Sequence, residues 1–345
     1  MSTKNLYPDE DRRGAEDHNA VSKNISKSPH LDFLRVTERA ALLSARWVGK
    51  GLKHEADDAA CKGMRSALNE LDINGLIVIG EGEMDEAPML YIGERVGSGN
   101  GPEVEIAVDP LEGTNLCANG MPNAIAVLAG CVKGEGHLLH APDCYMEKLV
   151  VGSECKGALD ITLPPRINVT IMSKCLGKKI DELTIGILDR PRHHDMIKEI
   201  REIGARVHLI SDGDLSIALA ALDIESGVDA LMGSGGAPEG VISAAAALCY
   251  GGEMQARFVW SNAAERERAQ GMFAGDVDRV LFTTDLASGH VQFCATGITS
   301  GDMLKGVRYT RECAITESIL MRSKTGTIRK IQTMHRNFKR AEDLD

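Results

Sequence analysis

An α/β fold made of two subdomains is what this sequence predicts, on three observations. The chain has 345 residues, more than a single hydrophobic core usually serves, so two packed subdomains are expected. Between residues 183 and 249 strand-like and helix-like runs alternate, which implies parallel strands joined by crossover helices. Several predicted strands also end in acidic residues, and ligands of open α/β sheets sit at such ends.

Residues 1–30 are polar and charged and read as a loosely docked arm. The rhythm changes near residue 160, so residues 31–160 are assigned to a first subdomain and 161–345 to a second. In the first, LDFLRVTERAALLSARWVGKG places apolar groups at helical spacing and ends in glycine. Residues 54–71 read as a second helix, with Asp57 and Asp58 in its first turns. Short strands follow at 76–80, 103–108 and 124–132. The run KGEG (133–136) reads as a hairpin turn, and so does GSGNG (97–101), which precedes a strand instead of following one. In the second subdomain, strands at 183–189, 206–210 and 228–232 alternate with helices at 193–204, 214–222 and 240–249. RVLFTT and HVQFCAT, beyond residue 278, read as strands that complete the sheets.

Composition narrows the function. With 39 basic and 50 acidic residues the net charge is −11, which argues against a nucleic-acid binder. A small phosphorylated ligand stays open, because a metal ion can reverse the local sign. No apolar run approaches the roughly twenty residues of a membrane span, and the N-terminus lacks an apolar signal segment, so no membrane partner and a cytoplasmic location are expected. Nine scattered cysteines without a CxxC pair fit reduced thiols better than a disulfide framework.

Acids arrive from four segments: Asp57 on the second helix, GEGEMDE (80–86), DPLEGT (109–114) and GSGGAPEG (233–240). Any one of them alone could be a turn residue or a helix cap. Together they supply the carboxylate oxygens that Mg²⁺ or Mn²⁺ prefer. In DPLEGT, Pro110 biases Asp109 toward extended backbone and is expected to stop the strand. Asp109 and Glu112 can then curl toward one point. Gly113 lets backbone approach a ligand, and Thr114 is expected to open a helix whose N–H groups favour phosphate. Carboxylates for metal beside N–H groups for phosphate are the apparatus of metal-assisted phosphoryl transfer to water.

Substrate contacts are expected from the second subdomain. Arg190 and Arg192, flanking Pro191, follow a strand and can pair with phosphate, although a basic start to a helix is the alternative. In SDGD, Asp212 and Asp214, on either side of Gly213, can accept hydrogen bonds from sugar hydroxyls, or Asp214 can be an N-cap. Gly236 is expected to allow close backbone approach.

The motif DPLEGT resembles the aspartate–proline–acid–glycine–threonine signature of the lithium-sensitive phosphatases. IVIGEGEMDEAPMLYIGERVG, NAIAVLAGC, APDCYMEKLVVG, DRPRHH, SDGD and GSGGAPEGVISAAAL resemble the class II fructose-1,6-bisphosphatases, and the resemblance runs from about residue 32 to 335. It implies a layered α-β-α-β-α sugar-phosphatase fold. It also implies metal ligation by Asp57 and Glu81 at one ion and by Asp109, Glu112 and Glu239 at another. Asp85 would partner Thr114, so that a carboxylate bonded to a hydroxyl orients a water and takes its proton. Tyr145 would contact sugar or phosphate. The chain is most similar to the cyanobacterial type, which implies fructose-1,6-bisphosphate and sedoheptulose-1,7-bisphosphate as substrates, AMP as an inhibitor and a homotetramer. An inositol-phosphate phosphatase and a non-catalytic sugar-phosphate sensor are the competing functions.

Overall fold

The structure is a computed structural model, and it describes residues 30–82, 89–272 and 275–336. The expected polar arm therefore lies, up to residue 29, outside the described residues, as do Asp85 and the acids beside it.

In chain order the first elements are α1 (His30–Ser44), α2 (Lys53–Asn69), β1 (Asn74–Ile79), β2 (Arg95–Val96), β3 (Glu103–Glu112), α3 (Thr114–Asn119), β4 (Ile125–Leu138) and β5 (Tyr145–Val151). Then come α4 (Pro165–Leu176), β6 (Thr184–Leu188), α5 (His194–Glu202), β7 (Arg206–Ile210), α6 (Asp214–Leu222), β8 (Ala230–Gly236), α7 (Ala237–Tyr250) and β9 (Glu253–Val259). The chain continues through α8 (Ala263–Met272), β10 (Leu281–Phe282), α9 (Thr283–Leu286), β11 (Ala287–Gly297), β12 (Arg308–Tyr309), β13 (Ala314–Arg322) and β14 (Thr327–His335).

Two sheets result. One has eight strands in the order β12-β13-β11-β4-β3-β1-β2, with β14 on β13; the other has six, in the order β10-β9-β5-β8-β6-β7. Apolar faces stack them into the five layers that the resemblance implies. Phe33, Val36 and Ala40 of α1 and Ala56, Ala60 and Met64 of α2 bury against Ile77, Ile106 and Leu128 on the outer face of the larger sheet. Helices α6 and α7 lie between the sheets, with Leu215, Ile217, Val241 and Ala245 packed between residues such as Val127 and Phe293 on one side and Met146 and Leu231 on the other. α4 and α5 close the far face of the smaller sheet through Val169, Met172, Ile197 and Ile200. The run of alanines in α7 suits this place, since a helix enclosed by sheets on two sides has no room for bulk and no polar face to present.

Several local expectations are corrected. Pro110 does not end its strand: β3 runs to Glu112 with a register shift between Asp109 and Glu112, because a bulge absorbs the missing N–H. KGEG does not reverse the chain; residues on both sides of it pair with the same strand, β11, so it is an irregularity within β4. GSGNG is not a hairpin turn either. β1 lies between β2 and β3, so the loop passes across the end of β1. RVLFTT yields only the two-residue β10 before the chain turns into α9. The sheets also cross the division expected near residue 160: β5 belongs to the smaller sheet, whereas β11 to β14 complete the larger one.

Candidate active site

Parallel pairing of β1 with β3 places their C-terminal ends side by side. Glu81 follows β1, and Asp109 and Glu112 lie at the end of β3. Asp57 comes from the second turn of α2, which covers this sheet. Glu239 stands in the first turn of α7, which enters between the sheets directly after β8. These acids line one cleft of about 860 Å³, between the two sheets.

Within the cleft the donor atoms fall into two groups. Oxygens of Asp109, Glu112 and Glu239 lie within 4.8 Å of one another, and so do donor atoms of Asp57, Cys61 and Glu81. Two of the carboxylates are held from outside the groups. Asp109 Oδ1 accepts from the Leu111 N–H at 3.0 Å, and Glu112 Oε1 accepts from the Leu215 N–H at 3.0 Å, at the start of α6. Glu239 Oε2 is buried and has no hydrogen-bond partner among the described residues. Gly236 faces it, and a Cβ there would collide with Oε2. That carboxylate, as much as a ligand, is a reason for glycine. Gly113 has φ +81°, a left-handed turn that lets β3 pass straight into α3 at Thr114.

Crowding of acids in a closed space shifts their protonation. Burial, then the nearby charges of Asp57 and Glu239, push Glu81 up to about 8. Burial is likewise the main cause that raises Asp109 and Glu112 well above the carboxylate range, and it raises Asp57 and Glu239. Alongside lies a buried cation, Lys148, which is fully enclosed and pairs with Asp214 at 2.7 Å. Its charge works against the rise at Glu239.

The smaller sheet supplies a different surface. Arg192 donates from Nε to Ser234 Oγ at 2.9 Å and from Nη2 to Ser234 O at 2.6 Å, and its guanidinium lies 4.9 Å over the Tyr145 ring. Arg190 reaches Asp212 at 3.5 Å, and Asp212 Oδ2 accepts from the backbone and side chain of Asn115 at 3.3 and 3.1 Å. Behind them His193 is buried. Its Nε2 accepts from the Ser234 N–H at 2.8 Å and its Nδ1 faces Leu188 O at 2.8 Å, which fixes a neutral ring with the proton on Nδ1; burial lowers its pKa.

Tyr145, Asp212, Gly113, Thr114 and Gly236 therefore line the cleft, and the arginines touch it through Tyr145 and Asp212. Pro191 opens a single 3₁₀ turn, and Gly213, with φ +71°, precedes α6. Asp214 is committed to Lys148. Thr114 Oγ1 donates to Leu111 O at 3.3 Å.

Residues 27–335 match the family described as bacterial fructose-1,6-bisphosphatase, glpX-encoded. A chain named fructose-1,6-bisphosphatase 1 class 2, from Escherichia coli strain K12, is 47% identical over 321 residues, covering 88% of this chain and 94% of that one. A fructose-1,6-bisphosphatase class 2 from Shigella flexneri matches to the same extent. This chain belongs to the bacterial fructose-1,6-bisphosphatase family. Among solved structures, an IMPase of Thermotoga maritima aligns over 75% of this chain and 93% of its own, with 11% identity and a TM-score of 0.34.

Family members are phosphoric monoester hydrolases, and the donor set of this bisphosphatase fits divalent cations. Its five acids offer hard oxygens, they are crowded enough to resist ionisation, and one buried oxygen lacks a partner among the described residues. Sequence reasoning passed over Cys61, Lys148, and Lys53 and His54, which also line the cleft. The i, i+4 spacing of Asp57 and Cys61 on a helix was a usable signal. Lys148 left none, since a lysine within a strand ordinarily reads as a solvent-facing charge.

Proposed function

We propose that this chain is a divalent-metal-dependent hydrolase of the 1-phosphate of fructose-1,6-bisphosphate, and that it also accepts sedoheptulose-1,7-bisphosphate. The observation that carries the reading is the meeting of Asp109, Glu112 and Glu239 within 4.8 Å beside Asp57 and Glu81, in a chain of this family. Mg²⁺ or Mn²⁺ would supply charge neutralisation of the phosphate and activation of a water.

The chain's own residues do the rest. Glu112 belongs both to the acid group and, through Leu215, to the scaffold of α6, so metal and sugar sides share one anchor. Gly113 and Thr114, where α3 opens, line the same cleft and suit a phosphate, while the Asn115 N–H is held by Asp212. Asp85, the expected partner of Thr114, would orient the attacking water and take its proton. Arg190 and Arg192 stand at the sugar side and suit a second, non-reacting phosphate, with Tyr145 between arginine and cleft. AMP inhibition and a homotetramer are carried by the resemblance alone, and the mass of the protein in solution tests the latter. No helix among the described residues is long and apolar enough to cross a membrane.

The test is phosphate release from purified protein in Mg²⁺ and in Mn²⁺, with both bisphosphates and inositol 1-phosphate compared. Release from the two bisphosphates alone is expected. Release from inositol 1-phosphate alone would overturn the substrate while keeping the chemistry. Tight binding without turnover would make the chain a sensor.

A further inference from the structure

Glu94 is a buried carboxylate that does not itself line the cleft. It stands directly before β2, in the connection that follows Glu81. One of its oxygens accepts from Arg65 Nε at 2.5 Å, and the other accepts from the Leu90 N–H. Arg65 lies on α2, about two turns beyond Asp57. Leu90 is fully buried, and its backbone is left-handed, with φ +56°, a conformation that bulky side chains rarely adopt. The Leu90 carbonyl accepts from the Glu81 N–H at 3.0 Å, and a Cβ on Gly80 would collide with that carbonyl. On the other side of Glu81, the Ile92 N–H donates to Gly82 O at 3.0 Å. The backbone of Glu81 is therefore gripped by residues 90–92. A left-handed leucine persists only where its surroundings impose it, and the buried Glu94 carboxylate does so through a charge-assisted bond to the Leu90 N–H.

We infer that Glu94 is a positioning residue for Glu81. Through Leu90 it fixes the Glu81 backbone, and through Arg65 it ties that backbone to the helix that presents Asp57. The inference rests on the reading of Asp57 and Glu81 as metal ligands. Two carboxylates already held in register lose less freedom when a divalent ion arrives, so Glu94 raises metal affinity without touching metal or sugar. A pair that served stability alone would need only Arg65, whose side chain is half exposed, and would not have to grip the residue that holds Glu81.

Binding of Mn²⁺ to the full chain, followed by loss of the free-ion electron paramagnetic resonance signal, tests this without turnover. Glu94→Gln keeps the side-chain size but loses the charge that Arg65 and Leu90 share. Its Mn²⁺ affinity at one site should fall about 10–100-fold, while KM for fructose-1,6-bisphosphate at saturating Mn²⁺ stays within about twofold. A merely structural role would lower the melting midpoint and leave that affinity unmoved, since binding is measured on folded protein well below the midpoint. Arg65→Gln breaks the tie to α2 but spares the Leu90 bond, so it should weaken Mn²⁺ in the same direction by less; it carries the test if Glu94→Gln does not fold. If Glu81→Gln weakens Mn²⁺ binding while Glu94→Gln and Arg65→Gln do not, Glu94 is a structural partner only, and the metal site stands without it. If Glu81→Gln leaves Mn²⁺ binding unchanged, the reading of Glu81 as a ligand falls, and the inference with it.

Discussion

The two walls of the cleft are built on opposite electrostatic plans. At the strand ends of the larger sheet, Asp57 of α2, Glu81, Asp109 and Glu112 meet Glu239 of α7, burial holds their pKa values up, and Glu239 Oε2 has no partner among the described residues. On the smaller sheet the cations are already held: Arg190 by Asp212, Lys148 by Asp214, and Arg192 by the neutral Ser234 and the Tyr145 ring. One wall is incomplete without a cation. The other is pre-shaped, with its arginines held in place. The difference teaches that metal affinity and pH response should reside on the first wall, and substrate selectivity and local rigidity on the second.

Glu112→Ala should break the acid wall most severely. Turnover should fall by on the order of 10²–10³-fold or more, with circular dichroism and cooperative unfolding retained. Near-normal turnover would remove Glu112 from the metal site. On the matched wall the largest effect should be on stability: Lys148→Met leaves Asp214 as an uncompensated buried charge and should cost about 3–5 kcal/mol by denaturant unfolding. A smaller loss would show that water reaches Asp214.

The pH response should separate the walls. Glu81 titrates near 8 in the folded chain against an ordinary value of 4.5, so the folded state holds more protons across that window. Stability of the metal-free protein should therefore fall as pH rises from about 5 to 8, and a divalent cation should restore it increasingly over the same range. Melting temperature with chelator and with Mn²⁺ measures both curves; parallel curves would mean that the acids are not the metal site. The smallest expected change is Arg192→Lys. It keeps the charge but loses the flat stack on Tyr145 and one arm of the Ser234 contact, so KM for a bisphosphate should rise about tenfold with kcat little altered. An equal effect on a monophosphate substrate would take Arg192 away from the second phosphate.

Much of this was legible in the chain itself. Periodicity located α2, α6, α7 and the strands β6, β7 and β8 of the smaller sheet, because amphipathic spacing and caps act over a few residues; β5 and β9 were not located. The acids of the site were legible because each follows a strand or opens a helix, where local signals are strong. The hairpins assigned to GSGNG and KGEG failed for the converse reason. Glycines mark where a backbone bends, and the partner of the next strand is chosen by the whole sheet.

What the sequence alone determined, then, is that the segments with the clearest periodicity become helix or strand, and that hard-oxygen donors stand beside them. Hydrophobic spacing and turn chemistry are local, and they act the same way whatever the rest of the chain does. Tertiary structure alone decided that β5 joins the smaller sheet, that α7 carries Glu239 across to acids of the larger one, and that Lys148 meets Asp214, 66 residues away. Those choices follow from burying several apolar faces at once. A buried ion pair or an acid cluster survives only where that packing holds its members in place.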